Sequence, residues 1–270
     1  DLRALQGALD GISFCDMTNA IQHIRMVKSP AEQAKLTHVC QLVSGVFADV
    51  PQWVKAVMPL DDLFRQFKIK ALTAGVDDVS YLVGSAGPDG YQDIIAPPNS
   101  RPLAAGDVFM LDTGCVWDGY FSDFDRNFAI HHASDEAHET HHRLYDATQA
   151  AIDILRPGVT AADLFFAMDA ILRPDHQGSS QHEQISAVKT GDDGVGRYGH
   201  GLGTQLTEPP SHTNWDQTVI TAGMTLTLEP SIGYGNGLTM VAEENLLVLE
   251  DRVVLLSTRA ARDLPVIPAA

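Results

Sequence analysis

Apolar residues recur at helical spacing from Leu36 through Val39, Cys40, Val43, Val46 and Phe47 to Val50. This is the stripe of a helix with one face in a core. Its start is marked just upstream, in Ser29-Pro30-Ala31-Glu32. Serine is the N-cap, proline takes the first helical position, and glutamate closes a capping box. A second helix is predicted from Leu60 to Ala74, stopping at Gly75. Strand-like segments follow at Val79–Ser85 and Val108–Ile130, separated by a loop rich in Gly, Pro and Asn (87–105). The order then repeats. Ser134 opens a helix to Leu155, which Pro157-Gly158 ends, and Thr160-x-x-Asp163 caps another to Leu172. Further strands are predicted at Gln184–Lys189, Thr218–Ile232 and Leu238–Leu249, while residues 1–28 are mixed and short-patterned. Each half reads as two helices followed by strands. The fold class predicted is α+β: a pseudo-two-fold repeat, with helices over the outer face of a curved antiparallel sheet. No linker interrupts residues 29–260, so they form one domain.

The stretch Val108–Ile130 is organised around Asp118-Gly119, a strong signal for a type I′ hairpin turn. That turn pairs Trp117 with Tyr120 and sets Asp112 opposite Asp125. Asp123 and Asp125 then share a face, because strand side chains alternate with period two. Three aspartates converge on one patch. Like charges opposed across a hairpin are destabilising, so something positive belongs between them. Cys115 alternates to the other face and is not a nucleophile candidate.

Composition narrows the picture. With 270 residues and 44% hydrophobic content the chain can bury a sizeable core. Against 35 acidic residues there are 18 basic ones, a formal net charge of −17. That excludes nucleic acid and anionic membrane surfaces as partners, since both select basic patches. Cys15, Cys40 and Cys115 show no paired spacing, which points to no disulfide framework and to the reducing cytoplasm. No apolar run is long enough to span a bilayer, and no secretory signal is present. The chain opens at Asp1 without methionine, so a fragment or processed product is expected.

The second half carries more chemistry. His200 sits among glycines in Tyr198-Gly-His-Gly-Leu-Gly203. Glu229 ends the alternating strand Met224–Leu228, and Glu243 precedes the apolar run Leu246–Leu249. Each carboxylate stands where the pattern calls for a neutral residue, and a buried one needs a partner. Two aspartates, one histidine and two glutamates make an oxygen-rich donor set. It suits two divalent ions such as Mn, Co or Fe, with Zn less favoured. Two side features carry less. The cluster His131, His132, His138, His141 and His142 reads as a solvated surface, and Gly233–Gly237 as a turn between strands.

The eleven-residue step from Asp112 to Asp123, GHGLG around His200, LEP at Glu229 and Glu243 before an apolar strand occur in this order. The arrangement resembles the pita-bread superfamily of methionine aminopeptidase, aminopeptidase P, prolidase and creatinase, over roughly residues 25–255. The resemblance implies five metal ligands, Asp112, Asp123, His200, Glu229 and Glu243, and two divalent ions. It also implies a homodimer. Arg25–Glu32 looks like the linker and first helix of the prolidase branch. Residues 1–24 would then be the tail of a missing N-terminal domain, and residues 25–270 the catalytic domain.

Departures are as informative. Peptidases of this superfamily carry a histidine seven residues after the ligand histidine, where Thr207 stands here. The upstream region Gly87–Ile94 also lacks their second histidine, and Asp125 and Asn127 replace threonines beside a retained Arg126. The leading expectation is a dinuclear metal-dependent hydrolase of the Xaa-Pro peptidase type, with Glu229 moving the proton. Its substrate is a dipeptide or small molecule, with Thr207, Asp93 and Asp125 as substrate-binding candidates. The alternative is a repurposed member acting on a small zwitterion, like the dimethylsulfoniopropionate lyase or creatinase of this superfamily. The weakest is a non-enzymatic binding module, since such members lose ligands.

Overall fold

The computed structural model describes residues 2–9, 11–174 and 196–269. The strand predicted at 184–189 lies outside them. In chain order the helices are α1 (Leu2–Ala8), α2 (Thr18–Met26), α3 (Pro30–Trp53), α4 (Leu60–Ala74), α5 (Asp135–Ile154) and α6 (Ala161–Leu172). The strands are β1 (Asp78–Val83), β2 (Ala86–Pro88), β3 (Asp107–Trp117), β4 (Tyr120–Ile130), β5 (His200–Gly201) and β6 (Glu208–Ser211). They continue with β7 (Thr225–Leu228), β8 (Ser231–Tyr234), β9 (Leu238–Val241), β10 (Glu244–Val248), β11 (Val253–Leu255) and β12 (Val266–Ile267).

The local signals act as read. Ser29 accepts from the Glu32 amide while Glu32 takes the Ser29 amide, and Gly75 ends α4 in the left-handed region. Thr160 and Asp163 form the same reciprocal cap on α6. Asp118 and Gly119 have φ of 47° and 80°, the pair of positive values a type I′ turn requires. The hairpin registers Trp117 on Tyr120, Asp112 on Asp125 and Gly114 on Asp123.

Two sheets carry the site, antiparallel throughout except that β12 runs parallel to β4. One has the order β1-β3-β4-β12, with β2 also on β3; the other runs β11-β10-β7-β5-β6, and β8-β9 is a separate hairpin. Strand alternation divides the core. Phe109, Leu111, Cys115 and Phe124 face α3 and α4, against Leu36, Val43, Phe47 and Phe67. Val108, Met110 and Ala129 point the other way, into the cluster formed with α5, α6 and the second sheet. Asp112, Asp123 and Asp125 share that second direction by parity.

The halves meet along β4 and β10 through side chains. Asn245 receives the Asp123 amide at 3.1 Å and donates to the Asp123 carbonyl. Arg126 donates to the Glu243 carbonyl and, at 3.1 Å, to the Glu244 carboxylate, and Asn127 donates to the Val241 carbonyl. The lead-in to α3 is tied to the second half as well. Glu208 pairs with Arg25 and, at 3.1 Å, with Lys28, both oxygens being engaged.

Four expectations change. Thr218–Thr221 is not strand: the carbonyls of Asp216 and Thr218 accept from the first amides of α6, groups that no helix satisfies internally. The run Leu238–Leu249 breaks at Ala242-Glu243, where Ala242 donates to Pro230 and the Glu243 carbonyl turns to Arg126. The histidine cluster is not uniformly solvated. His141 is buried with Nδ1 bonded to the Arg262 carbonyl at 3.0 Å, and burial pushes its pKa down to about 4. Residues 1–28 are also more regular than predicted, forming α1 and α2, although α1 buries no residue.

Asn245→Ala strips partners from the buried amide and carbonyl of Asp123. Each unmade buried bond costs about 1–3 kcal/mol. Urea unfolding should show a lower midpoint with an unchanged slope, and an unchanged midpoint would deny the seam its structural role.

Candidate metal centre

His200 is set by contacts that leave no room for side chains beside it. A Cβ on Gly199, whose φ is 133°, would lie 2.3 Å from the Thr227 carbonyl oxygen, and one on Gly201 2.1 Å from that of Pro209. The glycines thus admit neighbouring strands and not a ligand. His200 Nδ1 lies 2.9 Å from the Gly201 carbonyl, to which it can only donate. That leaves Nε2 unprotonated and free to ligate. Nε2 is 3.5 Å from Asp123 Oδ2 and 3.6 Å from Glu229 Oε2.

Two ligand groups form around it. Asp123, His200 and Glu243 each bring a donor atom within 4.8 Å of the others, and so do Asp112, Asp125 and Glu243. Glu243 is common to both, held at the break between β9 and β10. All five sequence-predicted ligands therefore come together, Glu229 through His200. The set fits divalent cations on an observation of its own: among the described residues, nothing donates a hydrogen bond to buried Asp125 Oδ1 or Glu243 Oε1. Buried anions in that condition call for a counter-charge.

The electrostatics agree. Burial, then the charges of Asp123 and Glu229, raise the pKa of Asp112. Burial raises Asp123. Burial first and neighbouring carboxylates second push Asp125 and Glu243 well above the carboxylate range. Glu229 rises for the same leading reason while His200 opposes it. Burial lowers His200, against the pull of Glu229. Glu229 is the open member, its side chain 25% exposed against 2% for His200 and 7% for Asp123.

The substrate-binding candidates separate. Asp93 is exposed, accepts from the Ile95 amide at 2.9 Å and lines a recess with Ser85, Gly90 and Leu238. It is absent from the charges acting on the cluster. Asp125 lies inside the cluster and not around it. Thr207 is exposed at its edge, where Arg197 donates to its hydroxyl at 3.3 Å. His212, the other imidazole near this loop, is fully buried, and burial holds its pKa down to about 3.

Two residues escaped the sequence reading. The charge of Arg197 lowers the pKa of Asp123 and of His200. Tyr81 lies on β1, whose residues Tyr81–Val83 pair with Gly114–Asp112 of β3, and burial and then the charge of Asp112 push its hydroxyl pKa up. Neither left a signal in the sequence: the register shift between Val79 and Tyr81 turns Tyr81 off the face that parity with buried Val79 would give it, and Arg197 stands in no pattern.

The pattern of metallopeptidase family M24 matches residues 34–254. The chain is 26% identical over 254 residues to the probable dipeptidase PepE of Mycobacterium tuberculosis, covering 94% of this chain and 64% of that protein. It is 24% identical over 262 residues to the Xaa-Pro dipeptidase of Pyrococcus furiosus, covering 93% and 68%. Among solved structures, dipeptidase PepE from Mycobacterium ulcerans is 27% identical with a TM-score of 0.83, covering 99% of this chain and 68% of that one. X-Pro aminopeptidase from Thermotoga maritima shares the fold at a TM-score of 0.82 and 21% identity, covering 98% and 71%. The chain thus spans about two thirds of the length of these relatives. An oxygen-rich centre with one imidazole, on two α+β halves, is matched by a family pattern over most of the chain, and the chain belongs to metallopeptidase family M24.

Proposed function

We propose that this chain is a metal-dependent hydrolase of the Xaa-Pro peptidase type. The observation that carries the reading is the convergence of two buried ligand groups on a shared Glu243. Asp112, Asp123, His200, Glu229 and Glu243 would hold two divalent ions, with Mn first by donor type. Bound there, the ions would supply Lewis acidity and acidify a water. The protein's own residues do the rest. Glu229, the partly open carboxylate, has a raised pKa that suits it to take and return a proton at Oε2. Arg197 and Thr207 offer a guanidinium and a hydroxyl at the edge, where a substrate carboxylate or a developing oxyanion can be received. The dipeptidase names of the relatives support a peptide substrate.

A second reading concerns only the substrate. With Thr207 and Arg197 where the resembling peptidases carry an imidazole, the edge is cationic, and a carboxylate-bearing small zwitterion fits it. An oxyanion donor is typically worth about 10²–10³ in turnover. Thr207→His should therefore raise cleavage of an Xaa-Pro dipeptide by about that factor if the second reading holds. Wild-type turnover near about 10 per second on the dipeptide would instead establish the plain peptidase.

Asp123→Asn should weaken Mn binding by more than the roughly 10–100-fold that losing an outer-sphere partner costs. Titration calorimetry on chelator-stripped protein reads this directly, and undiminished affinity would remove Asp123 from the ligand set.

The pH dependence follows from the raised carboxylates. Their folded pKa values lie above the unfolded ones, so protonation favours the folded metal-free chain. Their contribution is complete at acid pH and lost as pH rises through the folded values. The buried histidines run the other way, but only below the unfolded pKa of about 6.5. Between pH 6.5 and 8.5 the Tm of the chelated protein should therefore fall as pH rises, and saturating Mn should flatten the fall. A flat profile without metal would mean the carboxylates do not repel.

A further inference from the structure

Asp125 stands outside the five ligands implied by resemblance, at a position where those peptidases carry threonine. The fold leaves it little else to do. It lies across the β3–β4 ladder from Asp112, and its donor atom falls within 4.8 Å of those of Asp112 and Glu243. At 3% exposure it is too enclosed for a substrate contact. Its Oδ1 is buried with no hydrogen-bond donor among the described residues, so it braces none of them through that atom. Arg126, the adjacent cation, is turned elsewhere. Its Nη1 serves the carbonyls of Asp125 and Glu243, and its Nη2 serves Glu244 and the Thr258 carbonyl. A carboxylate buried in this way is tolerated when it binds a cation.

We propose that Asp125 is a sixth protein ligand, completing an all-oxygen cation site with Asp112 and the shared Glu243. This rests on the reading of the cluster as a metal centre. The two sites then differ in kind. Asp112, Asp125 and Glu243 form a hard site with carboxylate donors alone, which favours Mn or Mg. Asp123, His200 and Glu243 include an imidazole and accept softer ions such as Zn or Co. A threonine hydroxyl at position 125 would be neutral and a weaker donor. The substitution therefore changes the charge of one site and leaves the other's donors intact. With Asp123 and Glu229, five carboxylates surround the ions, one negative charge more than two divalent cations neutralise.

The test is metal binding by the chelator-stripped chain, using MnCl2 and separately ZnCl2. Stoichiometry comes from elemental analysis after gel filtration and affinity from calorimetry. Wild type is expected to retain two Mn per chain. Asp125→Asn should retain one, with the second weakened at least tenfold, while the first Zn equivalent binds as in wild type. His200→Ala should show the complementary loss, with Zn affected more than Mn. Because Asp125 Oδ1 makes no hydrogen bond among the described residues and a like charge is removed, the metal-free Asp125→Asn protein should melt at or above metal-free wild type. Two Mn bound to Asp125→Asn with wild-type affinity would overturn the proposal while leaving the metal-centre reading standing. A lower Tm of that variant without metal would overturn it too, marking Asp125 as structural. No Mn bound by wild type would overturn both. Asp125→Thr, which carries the residue usual in the resembling peptidases, gives the same readout if the asparagine variant does not fold.

Discussion

Five carboxylates and one imidazole are packed at the junction of two sheets, and their mutual repulsion is the constraint to which the surrounding structure answers. Asp112, Asp123, Asp125 and Glu243 are buried, and Glu229 only partly open. In such surroundings, like charges a few ångströms apart cannot all remain ionised without a counter-charge. The protein supplies little of it. Arg126 is spent on carbonyls and Glu244, and Arg197 acts from the edge. The donor set that results is one that could hold divalent cations.

The backbone that holds this arrangement is stiffened where the repulsion is greatest. Asp123 cannot withdraw, because Asn245 holds both its amide and its carbonyl from the opposite half. Glu243 is fixed by its own carbonyl on Arg126, at a break that frees it from the period-two geometry of β9 and β10. His200 is fixed by the close approach of Thr227 and Pro209 to its flanking glycines. The aromatic layer on the far side of β3 and β4 takes no part in the chemistry. Phe47, Phe67 and Phe124 pack there and hold the hairpin against α3 and α4.

The edge of the site is built differently from its centre. There Arg197 donates to the Thr207 hydroxyl, which places a hydroxyl and a permanent cation side by side. Glu208, next to Thr207, is anchored from α2 and the α3 lead-in by Arg25 and Lys28. That fixes the start of β6, and with it where Thr207 stands. Specificity at this edge depends on a few side chains, whereas the ligands depend on the whole sheet junction.

The caps of α3 and α6, the stop at Gly75 and the Asp118-Gly119 turn were legible in the sequence because each is decided within four residues by backbone geometry and one or two hydrogen bonds. The hairpin register followed from that turn, and with it the facing of Asp112 and Asp125. The five candidate ligands were named by order and spacing through resemblance, and the geometry brings those side chains together. Tertiary structure alone decided the remainder. The break at Ala242-Glu243 depends on Arg126, 117 positions away. The run 218–221 is loop because α6 needs its carbonyls. His141 is buried by the segment holding Arg262. Asp125 shares the face of Asp123 by parity, but its burial beside Glu243, with an oxygen that no described residue pairs, is a tertiary outcome. Local chemistry sets which residues start, stop and turn an element. Which charges end up facing one another out of reach of water depends on pairings distant in the chain, and no local pattern records them.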